Sequence, residues 1–208
     1  MSEVAVIVSQ FFTIAVAHAL AVISPGPDYA LILRHSARFG RHSALAASAG
    51  IASGILGHTL FAISGVSLLL LANPLWLKVL TWCGAGYLLY LACLAWRSRP
   101  NDGQQPQTAE PQLSRRSAYW QGLLTNGLNP KALLFFVAIF MVVKDASISL
   151  KLLYGGYMAL ATLAWFAGLS LVLTRPAVRQ WMQRCGHYLD WATGAVMAVL
   201  ALLLVAQA

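Results

Sequence analysis

Ser24-Pro25-Gly26-Pro27-Asp28-Tyr29 interrupts an apolar run that opens at Val4 and resumes as Ala30-Leu31-Ile32-Leu33. An interior proline lacks the N–H its turn needs and clashes with the carbonyl four residues back, at a cost of roughly 3 kcal/mol relative to alanine. Asp28 follows at once, and a charge at mid-bilayer costs roughly 2.5 to 3.5 kcal/mol on insertion scales. Non-helical backbone at membrane depth is tolerated only against protein or a water-filled cavity. The stretch therefore predicts a polar site inside a membrane span. A second break of the same kind stands at Asn129-Pro130-Lys131.

The composition puts this break in a polytopic membrane protein. Of 208 residues, 59% are hydrophobic and only 10% charged, where soluble domains have roughly 25%. The mean hydropathy is +0.69. The net charge of +8 would otherwise suggest nucleic acid. Here it matches the Lys and Arg that membrane proteins gather in cytoplasmic loops, so no nucleic-acid partner is expected. The apolar run after Met1-Ser2-Glu3 is too long for a signal peptide and reads as an uncleaved span. Cys83, Cys93 and Cys185 show no CxxC pattern and read as small core residues.

Hydropathy predicts an all-α protein of six spans, at about 4–33, 44–71, 75–96, 119–143, 152–173 and 188–205. Arg34, His35, Arg38, Arg41 and His42 read as a short basic loop, and 176–185 as a short interfacial helix. Span two carries Gly50-x-x-x-Gly54 beside Ala46, Ser53 and Gly57. Small residues at that spacing let helix backbones approach in lipid; the alternative is room for substrate. Gly155-Gly156 falls at the opening of span five. Residues 97–118, with Pro100, Gly103, Pro106, Pro111 and several glutamines, read as a flexible linker. The chain then divides into a first three-helix repeat at 1–96, this linker, and a second repeat at 119–208.

Arginines cluster after spans one, three and five (Arg34, Arg38, Arg41; Arg97, Arg99, Arg115, Arg116; Arg175, Arg179, Arg184), against Lys78, Lys144 and Lys151 on the other side. The positive-inside rule then makes the linker cytoplasmic and both termini periplasmic. Setting Pro27 against Pro130 aligns Asp28 with Lys131, and Trp82-Cys83-Gly84-Ala85 has a loose echo in Trp191-Ala192-Thr193-Gly194-Ala195. With three spans each, the halves must run in opposite senses. Inverted repeats with paired broken helices place a substrate site at their interface.

Asp28 and Lys131 are the leading site residues. They either pair with each other across the repeat interface, or meet the ammonium and carboxylate of a zwitterion; either could also carry a coupling proton. Asn126 and Asn129, three apart on one helical face, either satisfy carbonyls freed by Pro130 or bind substrate. His18 and His58 either bond neighbouring helices or form a proton relay with Asp28. His18 stands ten residues before Asp28, about 15 Å along a regular helix, too far for direct contact unless the break folds back. No Walker loop, HExxH or GxSxG motif is present, so neither an enzyme nor a cofactor is expected.

Pro25-Gly26-Pro27, the basic stretch with Gly40, the glycine-bearing second span and Asn129-Pro130-Lys131-Ala132 together resemble the lysine-exporter and homoserine/threonine-exporter (LysE/RhtB) family of bacterial translocators. The likeness covers the whole chain in length, span number and motif order. It implies export of amino acids across the inner membrane driven by the proton gradient, by small six-span proteins often thought to act as oligomers. It places the family's motifs on Pro25, Gly26, Pro27 and on Asn129, Pro130, Lys131. Asp28 departs from the Asn or other uncharged polar residue of many relatives, and Phe135–Met141 lacks their Pro-Gln-Phe ending. The added acid either favours a cationic substrate or pairs with Lys131. Two other readings compete. A metal or ion exporter would use Asp28, His18 and His58 as ligands, without close ligand spacing. A partner subunit without transport would leave the two internal charges unexplained.

Overall fold

The structure, a computed structural model, describes residues 3–24, 26–65, 73–97, 113–178, 180 and 186–206. It is all helical over these residues: α1 Glu3–Ile23, α2 Pro27–Arg34, α3 Gly40–Ile63, α4 Pro74–Trp96, α5 Arg115–Gly127, α6 Pro130–Val142, α7 Ile148–Leu173 and α8 Gly186–Ala206. Four helical runs are long and apolar enough to cross a membrane (Val4–Ile23, Pro27–Ile63, Lys78–Trp96 and Ile148–Leu173), and the bent pair α5–α6 makes a fifth.

The prolines start helices rather than kink them. Pro27, Pro74 and Pro130 each occupy a first helical turn, where a missing N–H costs nothing. Asn73 and Asn129 cap their helices, each side-chain oxygen accepting from the backbone N–H two residues on, at 3.0 Å. The penalty expected for interior proline is therefore not incurred. Each break is an end and a restart, and α5 meets α6 at 60°.

The expected basic loop is instead wound helix. His35–Phe39 forms one π-helical turn, and α3 begins directly at Gly40, whose φ of 77° only glycine adopts readily. His35 Nδ1 lies 2.9 Å from Ser43 Oγ, whereas eight residues of straight helix would separate them by about 12 Å. The Pro27–Ile63 run is thus two antiparallel helices. Arg34 and His35 are buried, His35 completely, with its Nε2 3.2 Å from Gln121 Oε1; Arg41 and His42 are exposed. Replacing His35 with alanine strands Ser43 and Gln121 in a buried layer, so a loss of about 1–3 kcal/mol is expected. Thermal unfolding in detergent measures it, and an unchanged midpoint would show that the turn holds without the ring.

Other boundaries also move. α3 ends at Ile63 rather than Leu71, with residues 66–72 outside those described. α5 starts at Arg115, inside the expected linker, because Ser114 caps it by accepting from Ser117 N at 3.1 Å; residues 98–112 of that linker are not among those described. α7 starts at Ile148, capped by Ser147, which moves Gly155 and Gly156 from a helix opening to its interior. Of the expected 176–185 helix, residues 176–178 are helical; 179 and 181–185, with Arg179, Arg184 and Cys185, are not described. Cys83 and Cys93 are exposed on α4 rather than buried in a core. Ten residues apart on one helix, they are about 15 Å from each other.

Cross-helix contacts fix directions. Gly50 faces Tyr119 and Gly54 faces Asn126, so α3 and α5 run parallel. Ser48–Ser170 and Thr59–Gly155 set α7 antiparallel to α3. Tyr154 bonds the Ile7 carbonyl, and His18 meets Thr162, so α1 runs with α7. Asp28–Asn126 and His35–Gln121 set α2 against α5. Gly84–Leu128 and Tyr87–Gln121 do the same for α4, and Trp96–Trp191 with Leu88–Ala201 set α8 against α4. Arg34, Arg38, Arg41, Arg97, Arg115, Arg116 and Arg175 consequently gather at one end of the bundle. The apolar core forms two main clusters, one around Phe136, Phe140, Tyr154 and Met158, the other around Leu31, Ile51, Leu91 and Phe166.

Candidate functional site

Both helix breaks open onto one cavity of about 110 Å³, lined from α1, α2, α3, α5, α6 and α7. A water needs roughly 10–15 Å³ by this measure, so there is room for several waters or one small organic molecule. Of the residues singled out in the sequence, His18, Gly26, Pro27, Asp28, Asn126, Asn129 and Lys131 line it. Pro130 and His58 are buried but not among the lining residues, and Pro25 lies outside the described residues.

Asp28 stands in the first turn of α2, where the positive end of the helix favours a carboxylate. Its Oδ2 accepts from Asn126 Nδ2 at 2.9 Å. Its Oδ1 is buried and has no partner. Lys131, exposed at the cavity mouth, donates from Nζ to Ser24 Oγ at 3.3 Å. Among the described residues no ion pair within 4 Å joins Asp28 to Lys131. The two opposite charges face one space and leave it open between them.

The two asparagines divide their work. Asn129 caps α6, so its amide serves the break itself. Asn126 is buried and orients Asp28, and its backbone carbonyl accepts from His58 Nε2–H, 3.0 Å away. His58 is stacked on Phe136 at 5.6 Å, and its Nδ1 has no partner. His58 therefore reaches Asp28 only through Asn126. His18, 2% exposed, has its Nε2 3.1 Å from Thr162 Oγ1. Both histidines thus bond a neighbouring helix, and neither is hydrogen-bonded to Asp28.

Several lining residues escaped the sequence reading. Ser24 belongs to the quoted stretch, yet only the fold reveals it as the partner of Lys131. Thr162 is one of several hydroxyls in its span, and nothing local sets it apart from Ser170. Tyr29 packs edge-on against Phe166 at 5.3 Å and accepts from Trp165 Nε1 at 2.7 Å. Phe135 and Phe136 supply two more rings, so the walls between the polar groups are largely aromatic.

The chain is similar over most of its length to two efflux proteins and to a further membrane protein. It is 29% identical over 196 residues to the threonine efflux protein of Salmonella typhi, covering 90% of this chain and 93% of that one. It is 27% identical over 195 residues to the threonine efflux protein of Escherichia coli K12, with the same coverage. A membrane protein of Bacillus subtilis, YrhP, is 27% identical over 175 residues, 79% of this chain and 82% of that one. No solved structure matches it. The profile of the LysE type translocators matches residues 19–208, and the chain therefore belongs to that family of membrane transporters, which are not enzymes.

Proposed function

We propose that the protein is a secondary exporter of amino acids in the bacterial inner membrane. Asp28 takes the substrate's ammonium group, and Lys131, with the N-terminal end of α6, takes its carboxylate. One observation carries this reading: the unpartnered Asp28 Oδ1 and the Lys131 ammonium line the same cavity without pairing. A zwitterion offers the two charges those groups lack. The relatives named threonine efflux proteins support an amino acid as that zwitterion.

The finer reading is of six passes in two inverted halves, 1–96 and 119–208, joined by a cytoplasmic linker. It is supported by the alternating helix directions and by a break in each half at matching places. The arginine-rich end of the bundle is read as cytoplasmic and both termini as periplasmic. Transport would proceed by alternating access, the halves rocking about the breaks, with an inward proton exchanged for each outward substrate. Assembly into homo-oligomers follows from the family likeness alone.

The test is export from cells, or from vesicles loaded with a panel of amino acids. Export of at least one amino acid by the wild type is expected. Lys131→Ala is expected to reduce it severely, and Lys131→Arg to restore part of it. Equal export by Lys131→Ala and wild type would remove Lys131 from the site.

A further inference from the structure

The hydroxyl–imidazole pair on the wall formed by α1 and α7 has no part in holding the two ends of a zwitterion. We propose that Thr162, held by His18, reads the substrate's side chain and makes the exporter selective for neutral side chains, with a preference for a hydroxyl over a methyl. The inference rests on the assignment of Asp28 and Lys131 to the substrate's ammonium and carboxylate.

Charge comes first. Besides histidine, Asp28 and Lys131 are the only charged side chains lining the cavity among the described residues. Once the ammonium and carboxylate occupy them, a third charge on the substrate meets Phe135, Phe136 and Phe166, and burying an unpaired charge there is prohibitive.

The hydroxyl preference comes from donor and acceptor counting. Thr162 Oγ1 lies 3.1 Å from His18 Nε2, and both residues are buried and line the cavity. A hydroxyl has one donor and two lone pairs. If Thr162 donates to the ring, its lone pairs remain open to a substrate O–H. If the ring donates to Thr162, the threonine O–H is free to donate outward. In either tautomer Thr162 keeps capacity for one more hydrogen bond. A substrate methyl leaves the Thr162–His18 bond intact, so alkyl substrates are disfavoured rather than excluded. The apolar part of the wall, Val22, Ile55 and the phenyl rings among it, accepts the rest of the side chain without polar demands.

The experiment compares initial export rates of threonine and valine, which share a shape and differ by hydroxyl against methyl, with lysine and glutamate as charged probes. Wild type, Thr162→Val and Thr162→Ser are measured. Wild type is expected to export threonine faster than valine and neither charged amino acid appreciably. Thr162→Val is expected to lower the threonine-to-valine ratio about fivefold to tenfold, the worth of one neutral hydrogen bond. Thr162→Ser is expected to keep the wild-type ratio. An unchanged ratio in Thr162→Val overturns the inference. So does a fall in both rates together in the Val and Ser variants alike, which would mark the pair as purely structural. Export of lysine or glutamate by wild type at the threonine rate also overturns it. Failure of the zwitterion reading is separable: Asp28→Asn would then export normally, whatever the ratio at Thr162.

Discussion

Asp28→Asn is expected to lose at least about 30-fold of its export rate while reaching the membrane in normal amount. Asparagine has the same shape, and its side-chain oxygen can still accept from Asn126 Nδ2, the one hydrogen bond that the Asp28 carboxylate makes among the described residues. What the substitution removes is charge at the buried Oδ1, which has no partner among the described residues. If that oxygen serves only packing, the amide serves equally well. If it receives a substrate ammonium, its loss leaves a cation unpaired in a cavity walled by aromatic rings. Removing one partner of a buried charged pair costs about 2–5 kcal/mol, and each 1.4 kcal/mol is about tenfold. Export assays, with membrane levels measured alongside, distinguish the cases. Wild-type export by Asp28→Asn would show that the carboxylate is not a ligand. Asp28→Glu keeps the charge but displaces it by a methylene, so partial export is expected from it. A proton-carrying role for Asp28 would also fail in the Asn variant, and counterflow exchange without a proton gradient separates it from a binding role.

The breaks and their contents were legible because their signals are local. Proline, glycine and charge inside an apolar run mark a site whatever the surrounding fold, and Gly26, Pro27, Asp28, Asn129 and Lys131 all line the cavity as that logic suggests. What local signals could not show was how the breaks are made. Proline in the first turn of a new helix and proline inside an old one look alike in sequence, and only the capping geometry at Gly26 and Asn129 separates them. His35 was misread for a related reason. In a basic stretch it reads as solvated, but the reversal at Gly40 folds it against Ser43 and Gln121, the latter 86 residues away. Thr162 was invisible because a hydroxyl in a membrane helix can bond its own preceding turn, and the role of Ser24 because its partner Lys131 lies 107 residues away. Nothing in the chain before folding tells which hydroxyls do otherwise. The cysteines failed differently. In lipid, small residues on the outer face carry no penalty, so Cys83 and Cys93 need no core to hold them.

Gly50→Ala and Gly122→Ala are expected to destabilise the protein more than any substitution of an exposed glycine, although alanine is the better helix former. The expectation follows from where the missing side chains would go. A Cβ on Gly50 falls on the Tyr119 carbonyl, and one on Gly122 falls on the Ala47 carbonyl. Both obstacles are backbone, which no rotamer change can clear, so α3 and α5 must separate. Overpacking of this kind costs about 1–3 kcal/mol and occasionally more, against a propensity gain of about 1 kcal/mol for Gly→Ala in a helix. Here the steric term wins. Gly57, on the same helix, has nothing within 4 Å of its Cβ position, so there the propensity term stands alone and Gly57→Ala is expected to raise the unfolding midpoint. Gly54 lies between these extremes. Its Cβ would come within 2.5 Å of Asn126 Oδ1 and 2.9 Å of Asn126 Cβ, so Gly54→Ala displaces the side chain that orients Asp28. It should therefore lose export out of proportion to its loss of stability. Thermal unfolding in detergent, with export measured on the same four variants, tests the ordering. If Gly50→Ala and Gly57→Ala shifted the midpoint alike, the close α3–α5 crossing would have to be abandoned, and with it the positioning of Asn126 beside Asp28.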